Sequence, residues 1–316
     1  MPGPTAPHSR PRVGYLGPEG TFTEQALLSQ EDLAAGELVA LPSIPDVLVA
    51  VERGDVELGF VGIENSIEGA VTATVDTLAF ETELLIQREV ILGVQMNLLV
   101  PSGVGLADVR RVLSIPVATA QCRNFLQREL QGVQTVAVAS TAQGARLVAG
   151  DEDDGHTAAI APAVAAKVYG LEVLATDIED HADNATRFVV VSRTGIPAPT
   201  GHDKTSIVVF QRTDRPGSLL AILQEFAARS INLTKLESRP TKKALGEYCF
   251  LMDLEGHVGE ELIADCLRDL KSKVADVKYL GSYPAAGEHG PARRREAEAA
   301  WRDARDWVEH LRDEIL

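Results

Sequence analysis

The chain has 316 residues, of which 45% are hydrophobic, and a formal net charge of −16 from 46 acidic and 30 basic side chains. This length predicts two domains with cores of their own, since domains typically hold roughly 100–200 residues. The acidic balance argues against nucleic acid as a partner, because duplex binding depends on Lys and Arg that neutralise phosphates. No apolar run reaches the roughly 18 residues of a membrane-spanning helix, so we expect no membrane association.

The cysteines and histidines show no spacing typical of a disulfide framework or a metal site. Cys122, Cys249 and Cys266 form an odd and sparse set, and the seven histidines are scattered along the chain. This usage fits a reducing compartment, so we expect a cytoplasmic protein. Residues 1–11 are rich in proline and lack the apolar core of a signal peptide, which predicts a disordered leader.

Short apolar strands alternate with helical segments from Val13 to about Arg193. The first strand, Val13–Leu16, precedes a helix over Thr23–Leu28, with Thr21 and Glu24 at capping-box spacing. The later predicted elements are a helix from Ser43 to Glu52, strand Leu58–Ile63, an extended stretch over Leu84–Val100, strand Val112–Ile115, helix Gln121–Leu130, strand Val136–Ala139, helix Ser140–Val148, strand Ala158–Ile160, helix Ala163–Tyr169 and strand Arg187–Ser192. This alternation predicts an α/β fold with a largely parallel sheet, divided into two lobes with a cleft between them.

A linker at residues 196–203, which contains two prolines and a glycine, precedes a compact C-terminal unit. The predicted order of this unit is β-α-β-β-α-β, which is ferredoxin-like. Its elements are Ser206–Gln211, Ser218–Arg229, Asn232–Glu237, Tyr248–Leu254, Glu260–Leu270 and Val277–Tyr283. Residues 285–316 are predicted to be a helical extension with one apolar stripe. The stripe consists of Trp301, Trp307 or Val308, Leu311 and Ile315.

Polar groups follow two of the predicted strands, where a parallel sheet places its ligands. In Gly17–Ala26 a glycine turn precedes the capped helix, and unpaired N–H groups there, with the hydroxyl of Thr21, would suit a carboxylate. Taken alone, however, this segment is better interpreted as an ordinary strand-to-helix turn. In Ile63–Gly69, Asn65 and Ser66 are neutral donors at the end of an apolar strand, and a plain polar turn is the alternative.

Two further helix starts offer polar side chains. Thr119–Leu126 contains Gln121 and Arg123, and Ser140–Thr141 begins the next predicted helix. Cys122 lies beside the first of these, but no histidine is near in sequence to activate it. We therefore interpret Cys122 as a pocket-wall or core thiol and not as a nucleophile.

The segment Asn184–Phe188 places a hydroxyl, a cation and an aromatic ring side by side at the start of the last strand of this region. Strand alternation turns Thr186 and Phe188 to one face of the sheet and Arg187 to the other. A Thr-Arg-Phe sequence alone is unspecific, and its meaning depends on the other motifs.

Taken together, these segments resemble prephenate dehydratases. GPEGTFTEQA, IENSIEG with the Thr72–Asp76 segment after it, TAQCR and NATRF occur in the order and approximate spacing of that family. RPGSLL, NLTKLESRP and LGSYP resemble the ACT domain of the same family, so the resemblance covers about Arg12 to Pro284. It implies a bilobed periplasmic-binding-type catalytic domain over 12–195, whose second lobe is about 101–183, with an interlobe cleft. An ACT domain over 204–284 follows.

The resemblance implies that prephenate is converted to phenylpyruvate for phenylalanine synthesis, with no cofactor and no metal. It assigns Thr186 as the catalytic residue, which would stabilise the departing hydroxide. The implied substrate-binding residues are Thr21, Asn65, Ser66, Gln121, Arg123, Ser140, Thr141, Arg187 and Phe188.

For the ACT domain, the resemblance implies a phenylalanine site shared between two chains. Feedback regulation by phenylalanine and a homodimer or homotetramer are therefore expected. The implied effector-binding residues are Gly217, Ser218, Leu219, Asn232, Leu233, Glu237, Ser238 and Arg239.

The chain departs from the family pattern in two places. The family often has a His-Pro pair before the TAQC-like segment, whereas this chain has Ile115-Pro116-Val117, so that histidine has no role here. The helical extension is additional and unexplained. Two alternative functions remain open at this point: an arogenate dehydratase with the same chemistry, and a non-catalytic binding or regulatory protein, although the latter would be expected to lose the Thr-Arg-Phe motif.

Overall fold

The structure, a computed structural model, describes residues 10–150, 155–211, 215–242, 247–286, 305–308 and 310–313. The chain groups into two compact units. One comprises the residues up to Thr77 together with Val90–Val190, and the other comprises Leu78–Glu89 and the residues from Val191 onward. Residues 1–9 of the predicted leader lie outside the described residues, and the predicted domain boundaries stay predictions. Within these ranges, no helix is both long and apolar enough to span a bilayer.

The region up to Ser192 contains eleven strands and eight α-helices in the described residues. The first elements are β1 (Arg12–Leu16), α1 (Phe22–Leu28), α2 (Glu31–Ala34), β2 (Glu37–Leu41), α3 (Ile44–Arg53), β3 (Leu58–Asn65), β4 (Gly69–Ala70), α4 (Thr72–Phe80) and β5 (Leu85–Gly93). The next are β6 (Asn97–Val100), β7 (Arg111–Ser114), α5 (Pro116–Gln121), α6 (Arg123–Glu129), β8 (Gln134–Ala137), α7 (Thr141–Val148), β9 (Thr157–Ala161), α8 (Ala163–Tyr169), β10 (Glu172–Ala175) and β11 (Ala185–Ser192).

These strands form two sheets, which confirms the predicted bilobed α/β class. The first sheet has the order β2-β1-β3-β11-β5, with β4 paired to β3, and the second has the order β10-β6-β9-β7-β8. In the first sheet β1 is parallel to β2 and β3, and in the second β7 is parallel to β8 and β9. The second sheet is nevertheless mixed, because β6 runs antiparallel to both β9 and β10.

Local sequence sets the ends of the first helices. The Ser43 side chain accepts a hydrogen bond from the Asp46 N–H at the start of α3, and Gly54 ends that helix with a φ of 81°, which glycine adopts readily. At α1 the Thr21 hydroxyl likewise accepts from the Glu24 N–H. The Glu24 carboxylate, however, accepts from the Gly20 N–H, so the predicted reciprocal capping box is only half formed.

One predicted helix is divided in the structure. Gln121–Leu130 was expected to be continuous, but α5 and α6 meet at Cys122, which has φ −111° and ψ 18°. Pro116 starts α5 earlier than predicted, because its fixed φ suits the first turn of a helix. The predicted helix start at Thr119 is therefore wrong, since Thr119 and Gln121 lie within α5.

Each lobe has its own apolar core. The rings of Phe60 and Phe188 stack in the first lobe, with centroids 5.3 Å apart. In the second lobe, Leu98, Val112 and Ile160 belong to a cluster of buried residues below α5 and α6. The residues next to them in β6 and β9, Leu99, Ala159 and Ala161, belong to another buried cluster, so these two strands are covered by apolar residues on both faces.

The C-terminal unit has the predicted ferredoxin-like order, which confirms this part of the fold class. Its elements are β12 (Asp203–Phe210), α9 (Ser218–Ala227), β13 (Leu233–Pro240), β14 (Tyr248–Glu255), α10 (Glu261–Lys273) and β15 (Asp276–Pro284). The sheet order is β13-β14-β12-β15, and every pair is antiparallel. In the extension, residues 305–308 and 310–313 are helical and Trp307 is 63% exposed, while Trp301 and Ile315 lie outside the described residues.

A buried ion pair and a close backbone approach tie the Leu78–Glu89 segment into the second unit. The Lys204 ammonium lies 2.9 Å from one carboxylate oxygen of Glu89, whose side chain is fully buried, and the Ala286 N–H donates to the same carboxylate. Gly281 has a φ of 140° and passes so close to the Ile86 backbone that a Cβ there would lie 2.5 Å from the Ile86 carbonyl oxygen. A side chain at position 281 would therefore force the two segments apart.

We expect Lys204→Met to lower the free energy of unfolding by about 3 kcal/mol, because it removes the counter-ion of a buried carboxylate. The matched control is Lys273→Met, since Lys273 pairs with Glu225 at 2.7 Å but is 54% exposed. That change should cost much less stability, because water screens an exposed ion pair. Urea unfolding of both variants tests the difference, and equal losses would contradict the structural role of the Lys204–Glu89 pair.

Candidate active site

Asn65, at the end of β3, contacts the start of β11. Its side-chain Nδ2 lies 2.9 Å from the Asn184 Oδ1, 2.9 Å from the Thr186 Oγ1 and 3.2 Å from the Ala185 carbonyl oxygen. Two of the residues predicted to act on substrate, Asn65 and Thr186, are thus hydrogen-bonded to each other although 121 residues separate them in sequence.

The orientation of the Asn65 amide follows from its other contacts. Its Oδ1 accepts from the backbone N–H of Ile67 at 2.9 Å and from that of Glu68 at 3.0 Å. Backbone N–H groups only donate, so this atom is the oxygen, and the atom facing Thr186 is the NH₂ group. Thr186 Oγ1 therefore accepts from Asn65 and keeps its own hydroxyl hydrogen, for which no protein acceptor is present among the described residues.

Ser66 holds the same two segments together. Its hydroxyl oxygen accepts from the Ala185 N–H at 3.0 Å and lies 3.4 Å from the Asp183 carbonyl oxygen, while its own N–H donates to the Ala185 carbonyl at 2.9 Å. The Ser66 hydroxyl, predicted to bind substrate, therefore supports the backbone that leads into Thr186.

Gln121 joins this group from the second lobe. The Asn184 Nδ2 donates to the Gln121 Oε1 at 3.0 Å, and the Gln121 Nε2 lies 3.5 Å from a Glu68 carboxylate oxygen. Asn184, which is 2% exposed, is thus fully engaged between Asn65 and Gln121. Asn184 belongs to the NATRF motif, but its role is not predictable from it, because a side chain that bonds two distant residues has no signature in a linear sequence.

Arg187 and Phe188, both predicted to bind substrate, contact other residues of the chain. The Arg187 guanidinium lies 3.4 Å from the Glu64 carboxylate and its side chain is 11% exposed. The Thr186 methyl and the Phe188 ring both lie over Gly62, as strand alternation predicts. Phe188 is 2% exposed and packs in the core, so we remove it from the substrate-binding set, since so small a surface offers little to a ligand.

Residues of both lobes line a cavity of about 560 Å³. The lining residues are Leu16, Gly17, Pro18, Ala40, Leu41, Pro42, Ala139, Ser140, Gln143 and Arg146. Ser140 caps α7 by accepting from the Gln143 N–H at 3.0 Å, and Thr141 is buried. Arg146 is an exposed cation on α7 that the sequence analysis did not select, because a single arginine on a helix surface is not distinctive.

The glycine turn before α1 is stabilised by hydrogen bonds within the turn and by one from the second lobe. The Thr21 hydroxyl lies 3.3 Å from the Leu16 carbonyl oxygen, and Thr21 is buried. Because the Gly20 and Glu24 N–H groups already donate within the turn, the prediction of unpaired N–H groups is wrong for these two. The Tyr169 hydroxyl donates to the Glu19 carbonyl oxygen at 2.7 Å, so α8 contacts this turn directly.

Arg123 lines a different cavity from Ser140. This cavity, of about 490 Å³, is formed by second-lobe residues around α5, α6 and β8. Arg123 is exposed there. Neither this cavity nor the one beside Ser140 is lined by Asn65 or Thr186.

Cys122 is buried between α5 and α6. Burial raises the pKa of its thiol to about 12, and the charges of Glu179 and Asp180 act in the same direction. At neutral pH it is protonated and a poor nucleophile, in agreement with its interpretation as a core thiol.

The C-terminal unit has a cavity of about 560 Å³ beside the start of α9. Four of the predicted effector-binding residues, Gly217, Ser218, Leu219 and Ser238, line it. The remaining lining residues are Gln211, Arg215, Leu220, Leu223, Tyr248 and Phe250. Leu220 is 59% exposed, so this cavity opens onto an apolar surface.

The other predicted effector-binding residues lie elsewhere in the unit. The Asn232 carbonyl accepts from the Glu255 N–H at 3.0 Å, and Leu233 packs against the core. Glu237 and Arg239 lie on the edge strand β13 and pair with each other at 3.4 Å. Within one chain, these four residues do not line the cavity beside α9.

Two family models match the chain. The prephenate dehydratase model matches residues 13–195, and the ACT domain model matches residues 205–272. The first match alone covers more than half of the 316 residues.

Relatives of known identity match over nearly the full length. A prephenate dehydratase of Amycolatopsis methanolica is 44% identical over 304 residues, which cover 94% of this chain and 96% of that protein. The crystal structure of a prephenate dehydratase in complex with L-Phe from Arthrobacter aurescens is 38% identical with a TM-score of 0.88, covering 96% of this chain and 99% of that one. A structure described as a quorum quenching acylase is 30% identical with a TM-score of 0.77, covering 90% and 100%. The matched family model and the sequence identity to prephenate dehydratases show that the chain belongs to the prephenate dehydratase family, whose members are carbon–oxygen lyases.

Proposed function

We propose that the chain converts prephenate to phenylpyruvate at Thr186 and Asn65, and that the substrate extends from them toward the cavity between the two lobes. The observation that carries this proposal is the hydrogen bond from Asn65 to the Thr186 oxygen, which leaves the Thr186 hydrogen available to a ligand. The reaction breaks the bond between the ring and its carboxylate, releasing carbon dioxide. The electron pair of that bond completes the aromatic ring as the ring hydroxyl departs as hydroxide.

Thr186 stabilises the departing hydroxide in this mechanism. Its hydroxyl is a poor acid, far from a group that titrates near working pH, so we assign it a donated hydrogen bond that strengthens as charge grows on the leaving oxygen. The bond that it accepts from Asn65 polarises the hydroxyl and makes it a better donor. Aromatisation supplies most of the driving force, so a positioned donor is sufficient.

Prephenate carries two carboxylates, which need positive groups in the cleft. Arg187 is already held by Glu64, whereas Arg146 is exposed at the cavity between the lobes. We assign Arg146 to one substrate carboxylate, because a guanidinium can hold a carboxylate through two parallel hydrogen bonds. The start of α7, where Ser140 lines the same cavity, adds a partial positive charge.

In the C-terminal unit, L-phenylalanine is the proposed effector, and it binds at the cavity beside α9. A coupling of about 1–3 kcal/mol between the two sites would be enough for feedback inhibition. Exposed Leu220, Leu236 and Tyr248 provide apolar surface for a second chain, so we propose a homodimer or a homotetramer. The three buried cysteines are free thiols, which suits a reducing cytoplasm.

We expect Thr186→Ala to lower kcat by about 10²- to 10³-fold, as for the loss of other preorganised donors. The matched control is Thr186→Ser, which keeps the hydroxyl and should stay within about tenfold of the unchanged protein. Phenylpyruvate formation, followed by absorbance with no metal or nucleotide added, measures both variants. Phenylalanine binding should be unchanged in both, and near-normal turnover of Thr186→Ala would remove Thr186 from the mechanism.

Substrate choice is tested by comparing prephenate with arogenate, in which an amino group replaces the side-chain keto group. We expect the larger kcat/KM for prephenate, and the opposite order would assign the chain to arogenate. Because one similar structure is described as an acylase, an amide is tested as a third substrate in the same comparison. An acylase needs an activated nucleophile, and the pKa of about 12 of the buried Cys122 thiol does not provide one.

We expect Ser238→Ala to weaken inhibition by phenylalanine by up to about tenfold, the effect of losing one hydrogen bond of about 0.5–1.5 kcal/mol. Asn232→Ala should do the same if the site is shared between two chains, as proposed, because Asn232 does not line the cavity within one chain. Turnover without phenylalanine should change little. Ser272→Ala is the control, since the Ser272 hydroxyl bonds the Asp269 carbonyl on α10 and does not line the cavity. Unchanged inhibition curves in both variants would contradict the proposed effector site.

A further inference from the structure

We propose that Asn184 is a positioning residue for the reaction: it holds the Asn65 amide so that Thr186 points its hydroxyl hydrogen at the substrate, and it does so only while Gln121 of the second lobe is in place. The inference rests on the proposed function of Thr186. In this role Asn184 does not contact the substrate. Its hydrogen bond to Gln121, which joins the two lobes, contributes to the alignment of Thr186.

The contacts of Asn65 determine which atom donates and which accepts in each of the three amides, Asn65, Asn184 and Gln121. The backbone N–H groups of Ile67 and Glu68 define the Asn65 oxygen, so its NH₂ group faces Asn184. The Asn184 atom that receives this bond must be its oxygen, and its NH₂ group must then face Gln121. No amide in the series can flip without losing hydrogen bonds on both sides.

Asn184 also determines to which acceptors the Asn65 NH₂ group donates its two hydrogens. Three acceptors surround the Asn65 NH₂ group: Asn184 Oδ1, the Ala185 carbonyl and Thr186 Oγ1. When Asn184 takes one hydrogen, the other is directed at the Ala185–Thr186 side. Without that restraint the Asn65 amide can tilt about the bonds that its oxygen accepts, and the hydrogen directed at Thr186 Oγ1 can shift to the Ala185 carbonyl.

The second lobe is part of this arrangement through Gln121. Gln121 ends α5, and its backbone carbonyl accepts from the Asp180 N–H, while its side-chain oxygen accepts from Asn184. Asn184 is buried, so its NH₂ group would lack a partner if Gln121 moved away. An unpaired buried donor costs about 1–3 kcal/mol, so the aligned state of Thr186 is favoured when the lobes are together.

The test is Asn184→Asp, which keeps the shape and exchanges the donor for an ionisable group. A protonated carboxyl group can still donate to Gln121 and accept from Asn65, whereas a carboxylate can only accept. Burial raises the pKa of an introduced carboxyl group, so protonation occurs at accessible pH. Charged or titratable groups in the contacting segments are Glu64, Glu68, Asp180, His181, Asp183 and Arg187, and most of them are acidic, which raises that pKa further.

We expect kcat of Asn184→Asp, divided by kcat of the unchanged protein at the same pH, to be reduced about tenfold or more at pH 8. This ratio should rise toward 1 as the pH falls through the pKa of the introduced group, with KM little changed. Asn184→Leu should lower kcat at every pH, and in an Asn65→Ala background it should cause no further loss. Asn124→Ala, at an exposed position of α6, is the control without effect.

The outcomes separate the inference from the function on which it rests. If the unchanged protein does not convert prephenate, the proposed function fails. If it does, a pH-independent ratio for Asn184→Asp, or additive losses of Asn184→Leu and Asn65→Ala, overturns the positioning role of Asn184. Midpoints of urea unfolding measured at each pH separate a loss of folded protein from a loss of alignment.

Discussion

The arrangement of the proposed active site depends on two backbone N–H groups. Those of Ile67 and Glu68 hold the Asn65 oxygen in the turn after β3 and thereby define where its NH₂ group points. Asn184, Gln121 and Thr186 each take their hydrogen-bonding direction from that constraint. A turn that looks like an ordinary polar connection therefore determines the direction of the hydroxyl proposed to act on substrate.

Neutral amides suit this task in a chain with a net charge of −16. A buried charge at the place of Asn184 would need a counter-ion to offset desolvation, and it would interact with both carboxylates of the substrate. Amides instead fix direction through geometry and add no net charge. The positive groups lie apart from them: Arg187 is bound by Glu64, and Arg146 is at the cavity shared by the lobes. The proposed roles in alignment and in carboxylate binding thus belong to different residues.

The sequence predicted the elements with strong local signals and missed those without them. Apolar β3 and α3, with its Ser43 cap and Gly54 end, appear as expected. The edge strands β2 and β10 were not predicted, because they are short, partly exposed and lack a clear alternation of apolar residues. The division between α5 and α6 was missed because Cys122 is apolar enough to continue a helical pattern, and only its packing shows the break.

The same distinction applies to the site. Motif resemblance selected Asn65 and Thr186, which the structure joins, but it also selected Phe188, which is in the core, and Arg123, which lines another cavity. Motifs record that a residue type matters and not whether it touches a ligand or supports a neighbour. Asn184 shows the limit most clearly, because its two partners are 119 and 63 residues away in sequence. Only the fold brings an end of β3 and an end of α5 to the same amide, and that meeting makes the position of the second lobe a condition for the alignment of Thr186.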